Sequence, residues 1–377
     1  MRKEQEIEQS PEEPLEKLPG LLTDWFCRAA RPLPWRGTLD PYRIWISEIM
    51  LQQTRIETVR EAYARFTERF PDLNSLAEAE ETAVLKAWEG LGYYSRARNL
   101  HKTARLCRES FGGTLPGSYE ELRRLPGIGE YTAGAVASIA FGENVPAVDG
   151  NVMRVLSRFL CDERDVMQES MRREMRARLR ALPKEDPGLF NEALMELGEV
   201  ICVPGGQPLC GLCPLGGECL ARRRGLQTKL PLRAKAEEKR TEAWTVLLFC
   251  CGDRFALEKR PEKGLLSGLY GFPMLPGHAS PEEAAERIRS AYETETPVPE
   301  AAGEAVHVFS HVIWRMHGLI IQSPVPVPGL RYVTAEEQSA GYPVPTAFKT
   351  YLTLIRKRLS DRAERRSDDQ NAMDPHE

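Results

Sequence analysis

The chain reads as two domains, an all-α domain followed by an α+β domain, on three observations. Its 377 residues exceed what one hydrophobic core usually serves. From residue 21 to about 225 the apolar residues recur at helical spacing between turn signals such as PG, GG and GLG. From residue 243 the pattern changes to short apolar runs with one amphipathic helix among them. Apolar content of 42% and charged content of 28% describe a soluble globular protein. The longest apolar run, VLLFCC at 246–251, is far short of the roughly 18 residues of a membrane span, so no membrane partner is expected.

Residues 1–20 are acidic and Pro-containing and read as a tail without an export signal, which implies a cytoplasmic location. Across 21–228 helices are predicted near 21–30, 41–53, 58–70, 81–89, 96–110, 118–124, 130–140, 149–160, 168–182 and 189–201. Residues 229–242, charged and poor in large apolar side chains, read as a linker. In the second domain, 243–358, AWTVLLFCC and RFALEKR predict a strand pair around GD. PEEAAERIRSAYE predicts a helix there, and GLIIQ and LRYVT predict further strands. The charged tail 359–377 is expected to be disordered. No internal repeat is evident.

The net charge of −4 argues against a uniformly basic nucleic-acid binder, but it is an average. Residues 1–20 sum to −3, 21–240 to +3 and 241–377 to −4. SRARNLHKTARLCR at 95–108 has five Lys or Arg and no acid, a solvated helix face or a phosphate-binding one.

RIWISEIMLQQT at 43–54 sets Glu48 on the same helical stripe as Ile44 and Leu51, residues that should face inward. A carboxylate there needs either a cation partner or a raised pKa. LPGIGEYTAGAVA at 125–137 suits a helix-hairpin-helix turn. Gly127 and Gly129 leave its backbone amides free to approach a phosphate at a helix N-terminus. In VPAVDGNVMRVLSRF, Asp149 stands at the mouth of the next helix, the place of an N-cap. A helix end keeps such an aspartate ionised while burial protonates Glu48. Two carboxylates so separated are what cleavage of a glycosidic bond requires. Cys202, Cys210, Cys213 and Cys219, spaced C-x7-C-x2-C-x5-C, make a metal site rather than a disulfide framework. Spacing alone leaves iron–sulfur cluster and structural zinc both open.

Together WISEIMLQQT, GLGYYSRARNL, LPGIGEYTAGA, VDGNVMRVLSR, the four cysteines and FSH at 309–311 resemble, in order, the helix-hairpin-helix DNA glycosylases, and within them the A/G-specific adenine glycosylases. The resemblance covers about residues 20–350. It implies base excision repair of adenine opposite 8-oxoguanine or guanine in double-stranded DNA, by a monomer associated with the nucleoid. It further implies a 4Fe-4S cluster on the four cysteines, although VPGGQPL between the first two is one residue longer than the family's usual loop. Glu48 is implied as the acid that protonates adenine N7, Asp149 as the carboxylate that stabilises the sugar cation, and Asn151 as the residue that places water. Tyr131 stands where lyase-competent relatives have a lysine, which implies a monofunctional enzyme. Arg36 and Glu192 match positions that contact the flipped adenine, and Gln53 and Tyr93 match residues inserted into the DNA stack.

The second domain resembles a Nudix-like module without a REUxEE-type acidic cluster around 277–298, so recognition without pyrophosphatase activity is expected. There Ser310, flanked by Phe309 and His311, matches the reader of 8-oxoguanine. Two rivals remain: an endonuclease III-like glycosylase and lyase, and a lesion-DNA-binding protein without catalysis.

Overall fold

The computed structural model describes residues 13–234, 238–261 and 263–372. They fall into two compact units, Met1–Ala79 with Ser95–Ala236, and Glu80–Tyr94 with Glu237–Glu377. In chain order the first helices are α1 (Glu13–Glu16), α2 (Leu18–Ala29), α3 (Pro41–Leu51), α4 (Ile56–Arg69), α5 (Leu73–Glu78), α6 (Glu81–Ala87) and α7 (Ser95–Ser110). They are followed by α8 (Tyr119–Leu122), α9 (Glu130–Phe141), α10 (Gly150–Phe159), α11 (Glu169–Ala181), α12 (Pro187–Val200) and α13 (Leu220–Arg223). All but α6 belong to the first unit.

Aspartates start the helices that matter most. Asp40 accepts from the Tyr42 amide at 2.9 Å with Pro41 at the first helical position, and Asp186 accepts from the Leu189 amide at 2.9 Å ahead of α12. One core gathers Leu22 and Phe26 of α2, Val152, Leu156 and Phe159 of α10, and Phe190, Leu194 and Leu197 of α12. Each such side chain contributes about 1.5–3 kcal/mol by leaving water. Leu15 and Leu18 join this core, so the chain from Glu13 is helical where a tail was expected. Residues 1–12 of that tail lie outside the described residues.

The second unit continues with β1 (Arg240–Cys251), β2 (Arg254–Lys259), β3 (Tyr270–Gly271), β4 (Met274–Pro276) and α14 (Pro281–Tyr292). Then come β5 (Glu300–Val308), β6 (Val312–Gln322), β7 (Arg331–Val333), α15 (Ala335–Gly341) and α16 (Lys349–Ala372). The sheet runs β3-β2-β1-β6-β5, with β4 also on β1 and β7 also on β2. β1 and β6 pair in parallel from Arg240↔Val312 to Cys250↔Gln322. The unbroken run VLLFCC follows from burial on both faces: Val246 and Leu248 pack with Trp314, Phe348 and Tyr351, while Leu247 and Phe249 pack with Ile288 and Ile321.

Three expectations need correction here. β1 begins at Arg240, inside the stretch read as linker, because its first residues find a parallel partner in β6. The first part of β5, before Val306, was not foreseen; its Ala, Gly and Glu residues have little strand preference, and among the described residues it pairs with β6 alone, across an irregularity between Ala301 and Glu304. The C-terminal segment is helical as far as Ala372, because Tyr351, Ile355 and Leu359 carry a buried stripe along α16. Residues 373–377 lie outside the described residues. Among the described residues no helix is long and apolar enough to cross a membrane.

Candidate active site

A cleft of about 820 Å³ opens in the first unit and is lined by Arg36, Glu48, Gln53, Gly129, Tyr131, Asp149, Asn151 and Glu192. Eight of the residues singled out in the sequence thus share one cavity. Glu48 projects from α3 and is only 6% exposed. Burial pushes its pKa up to about 7, with the carboxylates of Glu192 and Asp149 adding to the rise. Contact with the Tyr131 hydroxyl and the charge of Arg36 draw it back in part. Its Oε2 makes no hydrogen bond. Of the two states open to a buried glutamate, the raised pKa is therefore the one adopted.

Tyr131, the second residue of α9, donates its hydroxyl to Met195 Sδ at 2.7 Å. Burial, followed by the charge of Glu48, holds its phenol well above the usual range. Tyr131 is therefore neutral beside the acid.

Asp149 is the N-cap of α10, its Oδ1 accepting from the amides of Asn151 at 2.9 Å and Val152 at 2.8 Å. The helix end does not act on it alone: burial raises its pKa, and the two amides and Arg154 oppose that rise without cancelling it. Fully buried Asn191 fixes the approach to Asp149, accepting from the Ala147 amide at 3.1 Å and donating to Val145 O at 2.9 Å and Ser138 Oγ at 2.8 Å. Asn151 donates Nδ2 to Glu199 Oε1 at 3.0 Å.

Opposite charges organise the α12 side. Glu196, 1% exposed, accepts from Arg31 Nε at 2.6 Å and Nη2 at 2.7 Å, and from Arg36 Nη2 at 2.6 Å. Burial alone would raise its pKa, but the two arginines outweigh it and hold the carboxyl at about 2. Arg36 Nε also lies 3.9 Å from Glu192 Oε1. Arg31, Met195, Glu196 and Glu199 line the cleft as well, and the sequence reading missed them. The available signal was the spacing Glu192, Glu196, Glu199, three carboxylates on one face of one helix.

The hairpin turn before α9 gives its two glycines different reasons to be there. Gly127 has φ of 76°, and a Cβ on it would lie 2.6 Å from Asn99 Cβ. Gly129 has ordinary φ of −85°, nothing within 4 Å of a Cβ, and no side-chain cap over the α9 amides. Gln53 sits at positive φ, 55°, in the turn after α3. Arg96 of α7 closes that turn, its Nη1 donating to Ile49 O at 2.8 Å and Gln52 O at 2.7 Å.

In the second unit, Tyr93 also has positive φ, 45°, and is 48% exposed. The FSH segment splits there into an anchor and a tip. The Phe309 ring packs edge-on to Trp314 at 4.9 Å and His307 at 4.5 Å, whereas Ser310 and His311 are exposed and joined by a Ser310 Oγ to His311 Nδ1 hydrogen bond of 3.1 Å.

Cys202, Cys210, Cys213 and Cys219 line one small void in the first unit. Gly205 and Gly206, at φ of 59° and 105°, turn the longer loop so that the Leu209 amide reaches Ile201 O at 2.9 Å. Burial pushes the Cys213 thiol up to about 12, with the other three sulfurs adding to it. Thiolates there need a cationic centre. Among the described residues no group of three or more His, Cys, Asp or Glu is arranged to hold a metal ion.

The family described as HhH-GPD superfamily base excision DNA repair protein matches residues 46–181, and NUDIX domain matches residues 244–354. Adenine DNA glycosylase of Homo sapiens is 34% identical over 84% of this chain and 70% of its own. The enzyme of the same name from Buchnera aphidicola subsp. Baizongia pistaciae (strain Bp) is 36% identical over 67% of this chain and 72% of its own. A solved thermostable thymine-DNA glycosylase superposes with a TM-score of 0.51 at 26% identity, covering 56% of this chain and 98% of its own. The residues of the cleft stand on a helix-hairpin-helix scaffold, a Nudix-like unit follows it, and the chain belongs to the adenine DNA glycosylases, a family of base excision DNA repair enzymes.

Proposed function

We propose that the protein is a monofunctional glycosylase that hydrolyses the N-glycosidic bond of adenine opposite 8-oxoguanine or guanine in duplex DNA, acting as a monomer on nucleoid DNA in the cytoplasm. Glu48 carries the reading. A buried acid with a pKa of about 7 and an Oε2 without a hydrogen-bond partner holds a proton near neutrality. Glu48 protonates N7 of adenine flipped into the cleft. The C1′–N9 bond then breaks with its electron pair passing to the base, and Asp149 stabilises the sugar cation. Asn151, held by Glu199, places the water that supplies hydroxide to C1′; the proton left over returns to Glu48. Arg36 and Glu192 contact the base, while Gln53 and Tyr93 fill the gap left in the stack. Their positive φ supports this, since strained backbone concentrates at working sites.

Tyr131 lines the cleft where lyase-competent relatives have a lysine, and among the described residues the lining includes no lysine, which supports hydrolysis rather than Schiff-base lyase chemistry. The uncapped α9 amides at Gly129 suit a phosphate. Four thiols around one void suit a metal centre, and the family favours a 4Fe-4S cluster there. Cys202, Cys210, Cys213 and Cys219 hold it, and when bound it braces the loop and takes no part in the chemistry. Ser310 and His311 read the oxidised guanine. The test is single-turnover release of adenine from an A:8-oxoguanine duplex with borohydride added in parallel. Adenine release without a covalent adduct is expected; a strong adduct would establish the lyase instead.

A further inference from the structure

Arg36 and Glu48 line the same cleft, and Arg36 is the cation that favours the ionised form of Glu48. A mobile guanidinium there would pair with the buried carboxylate. Glu48 Oε2 nevertheless makes no hydrogen bond, and Arg36 makes its bonds elsewhere. Its Nη2 donates to Glu196 Oε2 at 2.6 Å, its Nη1 to Arg31 O at 3.1 Å, and its guanidinium carbon stands 4.9 Å over the Phe26 ring. Glu196 is held in turn by Arg31, through Nε, Nη2 and the backbone amide at 3.3 Å. A single buried anion thus fixes two cations, and one of them faces the acid.

We infer that Glu196 is a positioning residue for adenine excision: by binding Arg31 and Arg36 together it keeps Arg36 from ion-pairing with Glu48 and leaves that acid free to deliver its proton. The inference rests on the proposed role of Glu48. The groups that face Glu48 are Tyr131 from α9, Asp149 at the start of α10, Glu192 from α12 and Arg36 from the segment between α2 and α3. Replacing Glu196 leaves the first three in place and frees both arginines, of which Arg36 is the one among the charges acting on Glu48.

The experiment is the pH profile of single-turnover adenine release by the full-length protein. Wild type loses rate above about pH 7 as Glu48 ionises. In Glu196→Gln the basic limb moves to lower pH by roughly one unit, an opposite charge having come close, so the rate falls about tenfold at pH 8 and little at pH 5.5. In Glu196→Gln with Arg36→Gln the limb returns to the wild-type position or above it, although the rate stays low. A uniform fall across pH with the limb unmoved overturns the inference and leaves Glu196 a structural ion pair. Should Glu196→Gln fail to fold, Glu196→Asp, too short to hold both guanidiniums, moves the limb the same way by less, and an unmoved limb there overturns the inference equally. Activity in Glu48→Gln, or a wild-type profile without a basic limb, would instead remove the acid on which the inference stands.

Discussion

Glu48 costs the fold stability as soon as it ionises, because its carboxylate is buried without a full set of partners. Its folded pKa of about 7 lies above the unfolded value of about 4.3, so between the two the folded state binds the extra proton. Stability is thus complete at low pH and is lost as pH rises from about 4.3 through about 7, by up to on the order of 4 kcal/mol. Glu48→Gln removes this titration. The variant is expected to melt higher than wild type at pH 8 and close to it at pH 5, while retaining duplex binding and losing adenine release. Equal melting at both pH values would mean that Glu48 is already paired. Strain kept at a working position of this kind is a common trade of stability for activity.

The hairpin before α9 separates a structural glycine from one proposed for binding. Gly127→Ala meets both an unfavourable φ and Asn99, so a loss of about 1–2 kcal/mol or more is expected in denaturant unfolding. Gly129→Ala has room and an ordinary φ, so stability should hold while duplex affinity falls, read as Kd by titration at fixed salt. The cysteine loop makes its own prediction: the purified protein is brown with about four irons, and Cys213→Ser loses them. The helices bearing the site were legible because short-range signals define them: the helical apolar spacing around Glu48 for α3, the two glycines before α9, Asp149 before α10. The Arg31–Glu196–Arg36 group was not, since it joins residues 165 and 160 apart, and the α12 spacing shows three carboxylates without showing which one finds cations. The raised pKa of Asp149 was not legible for a related reason: a cap is visible in sequence, whereas the burial that competes with it comes from the fold.

The path of the chain decides how recognition by the second unit should be tested. After Ala79 the chain leaves the first unit, forms α6 and Tyr93 within the second, and returns at Ser95. There Lys86 Nζ donates to Gln338 O at 3.4 Å, and Glu89 Oε1 accepts from the Val344 amide at 3.1 Å. A truncation ending near residue 228 removes Gln338 and Val344 and strips α6 of these partners. It should therefore lower the rate on A:8-oxoguanine and A:G duplexes alike, in addition to any loss of discrimination. Point variants separate the two effects. Ser310 is exposed at the tip of its segment, so Ser310→Ala should leave the melting temperature unchanged and lower the ratio of single-turnover rates, A:8-oxoguanine over A:G, several-fold for about 1 kcal/mol per hydrogen bond. Phe309 is packed on Trp314 and His307, so Phe309→Ala should lower the melting temperature as well as the ratio. Because Phe309 is turned toward the core, it is poorly placed to substitute for the serine, and His311, bonded to Ser310, is the better placed of the two neighbours. The double variant Ser310→Ala with His311→Ala should accordingly fall further in ratio than either single one. A ratio unchanged in all three variants that leave Phe309 intact would make the second unit a support for α6 and Tyr93 rather than a reader of the opposing base.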